Sequence, residues 1–200
     1  MATSREAGAL IAGHFGFAAA VKSRAARTPL WALMLACVWM DVVFIPLFAA
    51  GIETIVPLPG TSGGYGEGVI HADYTHSLVG ALLISVTFAF VAAIWWRRSV
   101  AVVLGAVVFS HWVLDLLMHH SDMPLLPGNA GHFPLLGFGL WRWPGASALL
   151  EIGFVLVGTF LYARAALQVA GPSHAARVRY VTVALLLSGL VTLGLNWFGL

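Results

Sequence analysis

Long apolar segments constrain this chain more than any other feature of its sequence. Runs of predominantly apolar residues, several close to the roughly 20 that a helix needs to cross a bilayer, recur along the 200 residues. Hydrophobic residues make up 60% of the chain and charged residues only 9%, a composition that excludes an ordinary soluble domain. The sequence therefore predicts an all-α, polytopic helical membrane protein.

Five of these segments predict transmembrane helices, and one further segment is too short for a standard crossing. The five predicted spans are 30–50, 77–96, 100–118, 146–162 and 180–198. The short segment, 7–21, suits a tilted crossing, a re-entrant helix or an interfacial helix. A signal peptide is its alternative interpretation, although Arg5 beside Glu6 leaves the preceding region nearly neutral. Residues 1–200 are predicted to form a single integral membrane domain.

Basic residues lie almost entirely on one side of the predicted spans. Lysines and arginines flank the 22–27, 97–98 and 164–179 connections, whereas the long loops on the other side carry only Arg142. The positive-inside rule places the basic connections in the cytoplasm. We therefore predict the inner membrane of a bacterium, with lipids as partners, and two long loops that face the periplasm. Because the basic residues are dispersed, no nucleic-acid partner is expected.

Ionisable residues within the apolar segments predict a functional site. His111, Asp115 and His119 follow one another at four-residue spacing, so one helix face carries imidazole, carboxylate and imidazole. Counted from the basic ends of their spans, Asp41 and Glu151 reach nearly the same depth as His111. Charged groups in a membrane helix are costly and usually face a bundle interior or a wet cavity. We expect these side chains to converge in a cavity that opens towards the exterior.

The mixture of side chains indicates a divalent metal ion. Imidazole nitrogens with carboxylate oxygens suit Zn²⁺ foremost, or Mn²⁺ or Fe²⁺, and a single cysteine excludes a cysteine cluster. The residues whose positions in the sequence favour binding of the metal are Asp41, His76, His111, Asp115 and His119. A carboxylate outside this group, Glu151 or Glu53, is predicted to act as general base, with Glu151 favoured by its depth.

Structural roles compete with these assignments for several residues. Asp73 or Thr75 suits the N-cap of the helix that begins near Ser77. Asp41 and Glu151 suit a purely structural hydrogen-bond network between helices. Trp141 and Trp143 fit an aromatic belt at the membrane interface, and the first long loop, rich in Gly and Pro, is predicted to be flexible.

Two motifs resemble those of a known bacterial family. The segment His71-Ala72-Asp73-Tyr74-Thr75-His76-Ser77 resembles a His-Arg-x-x-Thr-His-Ser motif, and Ser110 to Asp115 resembles Ser-His-x-x-x-Asp. Both motifs belong to the membrane-bound metal-dependent hydrolases, also named LexA-binding, inner-membrane-associated hydrolases. Gly13-His14 and Asp41 match two further family positions. The resemblance reaches to about Pro127; it implies a metal-dependent hydrolase and adds His14 and His71 to the expected ligands.

Two classes of function are consistent with these features. The first is an inner-membrane metal-dependent hydrolase that acts on an amphipathic ester or phosphoester from the periplasmic side. The second is a non-enzymatic subunit or scaffold of a larger membrane complex, in which the His/Asp cluster serves the structure. Ala72 stands where the family has arginine, which argues against phosphate chemistry. A transporter is less consistent, since no inverted repeat is evident.

Overall fold

A computed structural model describes residues 11–61 and 65–198, and these form a mostly helical protein. The start of the predicted 7–21 helix lies outside the described residues. The helices and strands, in chain order, are α1 (Ile11–Lys22), α2 (Leu30–Cys37), α3 (Trp39–Ala49), β1 (Thr54–Pro57), β2 (Gly68–His71), α4 (Leu78–Trp95), α5 (Arg98–Met118) and α6 (Pro144–Phe198). Two 3-10 turns, Pro127–Asn129 and Leu140–Arg142, lie in the loop before α6.

Length and hydropathy mark three of the described helices as able to cross a membrane. These are α4, α5 and α6, and α2 with α3 would add a fourth if that bent pair forms one span. Large apolar side chains on their surfaces are exposed, for example Phe90 at 76% and Phe160 at 62%. Exposed apolar surface of this extent is expected where lipid replaces water. The prediction of a mostly helical chain with membrane-length apolar helices is confirmed.

Helix α6 contains both of the last two predicted spans. Its helical backbone is interrupted at Gly171, which has φ +65 and precedes Pro172. Beyond this point the chain folds back onto the first half of α6. The evidence is that a Cβ on Gly189 would lie 2.9 Å from the side chain of Val155. The predicted basic linker between the two spans is therefore helical apart from the break at Gly171.

Helix α1 packs inside the bundle against α6. A Cβ on Gly16 would meet the backbone carbonyl of Phe154 at 2.4 Å, and one on Gly158 would meet the Gly16 carbonyl oxygen at 1.8 Å. Small residues allow membrane helices to approach this closely. His14 is only 1% exposed, so this face of α1 is buried in the bundle. The tilted, re-entrant and interfacial interpretations of the segment stay predictions.

The predicted span 30–50 is broken near its middle. Helices α2 and α3 meet at Val38, whose φ of −116 ends α2, and their axes differ by 43°. Asp41 therefore lies in the first turn of α3. The Cys37 carbonyl, as the last of α2, has no partner within its own helix.

The two long loops pack against each other at one end of the bundle. The first loop is not simply flexible as predicted, since it contains an antiparallel hairpin in which Thr54 of β1 pairs with His71 of β2. The backbone N–H of Leu78, at the start of α4, donates to the Pro124 carbonyl of the second loop (3.0 Å). Ser77 caps α4 by accepting the Gly80 N–H, so the predicted caps Asp73 and Thr75 are wrong.

Candidate metal centre

Histidines and aspartates from four parts of the fold converge where α1, α3 and α5 meet the loop before α4. The ligand-type atoms of His14, His111 and Asp115 lie within 4.8 Å of one another, as do those of Asp41, His76 and His111. The two groups share His111. These buried His/Asp groups are therefore able to hold a metal ion.

The spacing within the cluster fits tetrahedral coordination. His111 Nε2 lies 3.1 Å from Asp115 Oδ2 and 3.4 Å from Asp41 Oδ1. His76 Nε2 lies 3.5 Å from Asp115 Oδ2, 3.8 Å from Asp41 Oδ1 and 3.4 Å from His111 Nε2. Tetrahedral bonds of roughly 2.0–2.2 Å require ligand atoms about 3.4 Å apart. These are five of the six pairs that four ligand atoms form, and they fall around that value.

The break between α2 and α3 orients His111. The free carbonyl of Cys37 lies 2.7 Å from His111 Nδ1, and a carbonyl oxygen can only accept a hydrogen bond. Nδ1 of a neutral His111 therefore carries the proton, which leaves a lone pair on Nε2 towards the aspartates. A backbone carbonyl that holds the second ring nitrogen is common for metal-binding histidines.

His14 joins the cluster from the opposite side. Its Nε2 lies 3.2 Å from Asp115 Oδ1, and its ring stacks on that of His111 with centroids 3.8 Å apart. His14 is placed there by the close approach of α1 to α6 at Gly16. Among the described residues, His14 Nδ1 is buried and has no hydrogen-bond partner.

Asp41 is the most exposed member of the cluster. Its side chain is 27% exposed, whereas those of His76, His111 and Asp115 are at most 6% exposed. Its second carboxylate oxygen, Oδ2, has no partner among the described residues. The Asp41 side chain is therefore the part of the cluster that lies nearest to solvent, although its Oδ2 atom is itself buried.

His76 enters from the loop before α4 and is oriented by a separate set of contacts. Its Nδ1 lies 2.8 Å from the hydroxyl of Thr75, which in turn contacts the carboxylate of Glu53. Its backbone carbonyl accepts the indole N–H of Trp112 (2.8 Å). Burial lowers the pKa of His76 to about 4, a larger effect than the neighbouring aspartates exert in the other direction. The ring is therefore neutral at physiological pH, the form that binds metals.

His119 lies beside the cluster but outside both groups of mutually close ligand atoms. Its ring is 6.2 Å from that of His76, and its Nδ1 lies 2.9 Å from Asp122 Oδ1. Burial alone would lower the pKa of His119, but the hydrogen bond to Asp122 and the charge of Asp115 raise it overall. Trp141 stacks on His119 at 4.5 Å and is 2% exposed. The prediction that Trp141 belongs to an interfacial belt is therefore wrong.

The other predicted site residues lie apart from this centre. His71 is exposed at the end of β2 and belongs to neither group. Glu151 is fully buried, but its oxygens accept hydrogen bonds from the Gly13 N–H and the Tyr65 hydroxyl. Burial, followed by the Glu151 charge, raises the pKa of Tyr65 well above its ordinary value, so the phenol keeps its proton. Glu53 is fully buried as well, not in a mobile loop as its sequence context indicates.

Several residues of the site were missed by sequence reasoning. Tyr65 lies in a Gly-rich loop, and the Cys37 carbonyl is a backbone group that no side-chain pattern reveals. Thr75 was given no role other than a cap, although it immediately precedes His76 in the first of the two motif-bearing segments. That adjacency is the one signal that was available.

Comparison with known proteins finds no family model, no curated protein and no solved structure that matches this chain.

Proposed function

We propose that this protein is an integral membrane hydrolase with one divalent metal ion, Zn²⁺ in the first instance and Mn²⁺ or Fe²⁺ as alternatives. The observation that supports the proposal most strongly is the set of 3.1–3.8 Å separations among Asp41, His76, His111 and Asp115. His14 would either bind the ion directly or support it indirectly, through its hydrogen bond to Asp115. A bound ion would polarise an ester or phosphoester oxygen and lower the pKa of water.

Asp41 is the residue of this chain best placed to handle the proton. Its Oδ1 faces His76 and His111, while its Oδ2 is free of partners among the described residues. This buried oxygen can accept a proton from a water molecule that reaches the cluster past the partly exposed Asp41 side chain. Glu151 and Glu53 are less suited to that task, because donors elsewhere in the fold already occupy their oxygens.

The location of the cluster favours an amphipathic substrate. His76 and Asp115 lie near the end of the apolar helices α4 and α5, just below the packed loops. The ring of Phe44, on α3, meets that of His76 edge-on at 6.0 Å, so apolar surface borders the side on which Asp41 is partly exposed. A lipid ester or phosphoester would thus bring its polar group to the cluster while its chains stay in the bilayer. Opposite the basic connections, this end faces the periplasm of a bacterial inner membrane.

Purified protein tests the function directly. The chain in detergent is analysed for bound metals and then assayed against a panel of lipid esters and phosphoesters, before and after chelation and again after adding Zn²⁺, Mn²⁺ or Fe²⁺. We expect bound metal and turnover that chelation abolishes and one of these ions restores. Bound metal without turnover of any panel member, together with co-purification of a larger membrane complex, would instead support the non-enzymatic subunit.

Orientation is tested separately by labelling. In a Cys37→Ala background, a single cysteine at Asn129 is expected to react with an impermeant maleimide in intact cells, and one at Arg27 only after the membrane is opened. The reverse pattern would place the cluster at the cytoplasmic side.

A further inference from the structure

Glu53 is a buried carboxylate whose partners all belong to the segment that carries His76. It is 0% exposed. Its Oε1 accepts the backbone N–H groups of Tyr74 and Thr75, each at 2.8 Å. The Thr75 hydroxyl contacts both of its oxygens, at 3.1 Å and 2.8 Å. Among the described residues no lysine or arginine pairs with this carboxylate, so neutral donors alone satisfy it.

The protons in this chain of contacts can be assigned from the partners. An ionised carboxylate only accepts hydrogen bonds, and a threonine hydroxyl has one proton to donate. Thr75 therefore donates to Glu53, and its oxygen is left to accept at 2.8 Å from His76 Nδ1. His76 Nδ1 must carry the proton in that contact. The lone pair of the ring consequently lies on Nε2.

We infer that Glu53 and Thr75 are positioning residues for the metal centre, which together fix His76 in the form whose Nε2 lone pair faces the ion. This inference rests on the proposed metal site. His111 is fixed in the same form by the Cys37 carbonyl, and the two Nε2 atoms lie 3.4 Å apart. A metal ion between these two atoms would be coordinated by both lone pairs.

The two histidines are oriented by different chemical groups. His111 Nδ1 contacts a backbone carbonyl, whereas His76 Nδ1 is linked through one hydroxyl to the carboxylate of Glu53. A carboxylate behind a histidine raises the basicity of the ligand, and loss of such a partner typically weakens metal binding by about 10- to 100-fold. Glu53 therefore acts on the ion through Thr75 and His76, without touching it.

Thr75→Val is the sharpest variant, because it keeps the shape of the side chain and removes only the hydroxyl. Full-length protein in detergent is titrated with Zn²⁺ against a competing chelator. We expect Thr75→Val to bind Zn²⁺ about 10- to 100-fold more weakly and Thr75→Ser to stay close to the parent. Thr182→Val, which removes a half-buried hydroxyl that donates to the Val178 carbonyl on α6, outside both ligand groups, is the matched control and should bind normally.

Two further readouts separate positioning from general destabilisation. With Co²⁺ in place of zinc, the visible absorption spectrum of Thr75→Val should shift, while that of Thr182→Val should not. Nitrogen-15 NMR of the metal-free protein should show His76 in a single ring form, and a mixture of both forms in Thr75→Val. Glu53→Gln should weaken zinc binding, whereas Asp73→Asn, which neutralises a carboxylate in the same loop, should not.

The outcomes distinguish this inference from the proposed function. Normal zinc affinity, an unchanged cobalt spectrum and a single His76 ring form in Thr75→Val would overturn the positioning role while leaving a hydrolase intact. Weakened binding in Thr75→Val, with no turnover by the metal-loaded parent, would support the positioning role and count against hydrolysis. A parent protein that binds none of these ions would overturn both.

Discussion

Four carboxylates near the end of the bundle that holds the cluster, all buried or half-buried, fall into two kinds. Glu53 and Glu151 have their oxygens occupied by N–H and O–H donors from neighbouring segments. Asp41 and Asp115 instead face imidazole nitrogens, and Asp41 keeps one oxygen without a partner among the described residues. Burial alone therefore does not separate structural carboxylates from ligands. The identity of the partners does separate them, since N–H and O–H donors already satisfy one kind, whereas the other kind faces imidazole nitrogens with which it can share a proton or a metal ion.

The first prediction disturbs both kinds of carboxylate at once. Gly13, which donates to Glu151, and His14, which contacts Asp115, are consecutive on α1. In Gly16→Ala the new Cβ would lie 2.4 Å from the Phe154 backbone, so α1 has to move away from α6. We expect a loss near the upper end of the about 1–3 kcal/mol typical of overpacking, together with loss of bound metal. Thermal unfolding and metal analysis measure the two effects.

Gly153→Ala provides the matched control for that prediction. Gly153 lies on the same stretch of α6, and nothing is within 4 Å of a Cβ built there. This variant should unfold and bind metal as the parent does. Equal behaviour of the two alanine variants would show that the contact between α1 and α6 does not hold the centre together.

The second prediction removes the residue that the two ligand groups share. His111→Ala deletes the only side chain common to both groups. We expect zinc affinity to fall by more than the about 10- to 100-fold typical of outer partners, as measured by chelator competition. His174→Ala, an exposed histidine near the Gly171 break, should change nothing. Retained zinc in His111→Ala would exclude the cluster as the binding site.

The third prediction concerns Glu151, whose carboxylate oxygens already accept hydrogen bonds within the fold. Glu151→Gln places an amide NH₂ where the Gly13 N–H or the Tyr65 hydroxyl now donates. We expect stability to fall by about 1–3 kcal/mol with bound metal retained and turnover changed by much less than the about 10²- to 10⁴-fold of a general base. A turnover loss in that range at full metal content would restore Glu151 as the base.

Tyr65→Phe removes the donor of the hydrogen bond that the Tyr65 hydroxyl makes to Glu151. In a double-mutant cycle with Glu151→Gln, the two losses of stability should not add, and the coupling free energy should fall within about 0.5–3 kcal/mol. Additive losses would show that the Tyr65 contact contributes nothing to holding the loop on α6.

The smallest effect is expected at His71. This histidine is exposed at the end of β2, apart from the cluster, so His71→Ala should leave zinc affinity and thermal stability unchanged. His76→Ala, five residues later, is the contrasting variant and should lose affinity strongly. Equal losses in both would bring His71 back into the ligand set.

The helical spacing of the residues and the free-energy cost of placing ionisable groups in apolar helices explain which parts of the site were predictable from the sequence. Ionisable residues are rare in apolar helices, so His111, Asp115 and Asp41 stood out. The depth that Asp41 shares with His111 predicted that these two converge, as the structure shows, whereas Glu151 at the same depth belongs to neither ligand group. His76 followed because no cap or surface role accounted for it. The lengths of α4 and α5 were predictable because hydropathy is a local property of the sequence, but the other predicted spans do not match single helices.

Contacts between distant segments were not predictable in this way. The fold-back at Gly171 and the bend at Val38 lie inside continuous apolar or helical sequence, and tertiary packing decides them. The β-hairpin was hidden by surrounding Gly and Pro residues. Glu53 was misjudged because loops are usually exposed, whereas this one folds back so that its carboxylate reaches Thr75.

The bend at Val38 has a consequence for how this sequence can change over time. Within a bilayer, a backbone carbonyl without a partner costs several kcal/mol, and the Cys37 carbonyl is spared that cost by His111. Replacement of His111 would leave that carbonyl without its side-chain partner. The bend and the ligand set therefore depend on one histidine and are expected to be inherited, or lost, as one unit.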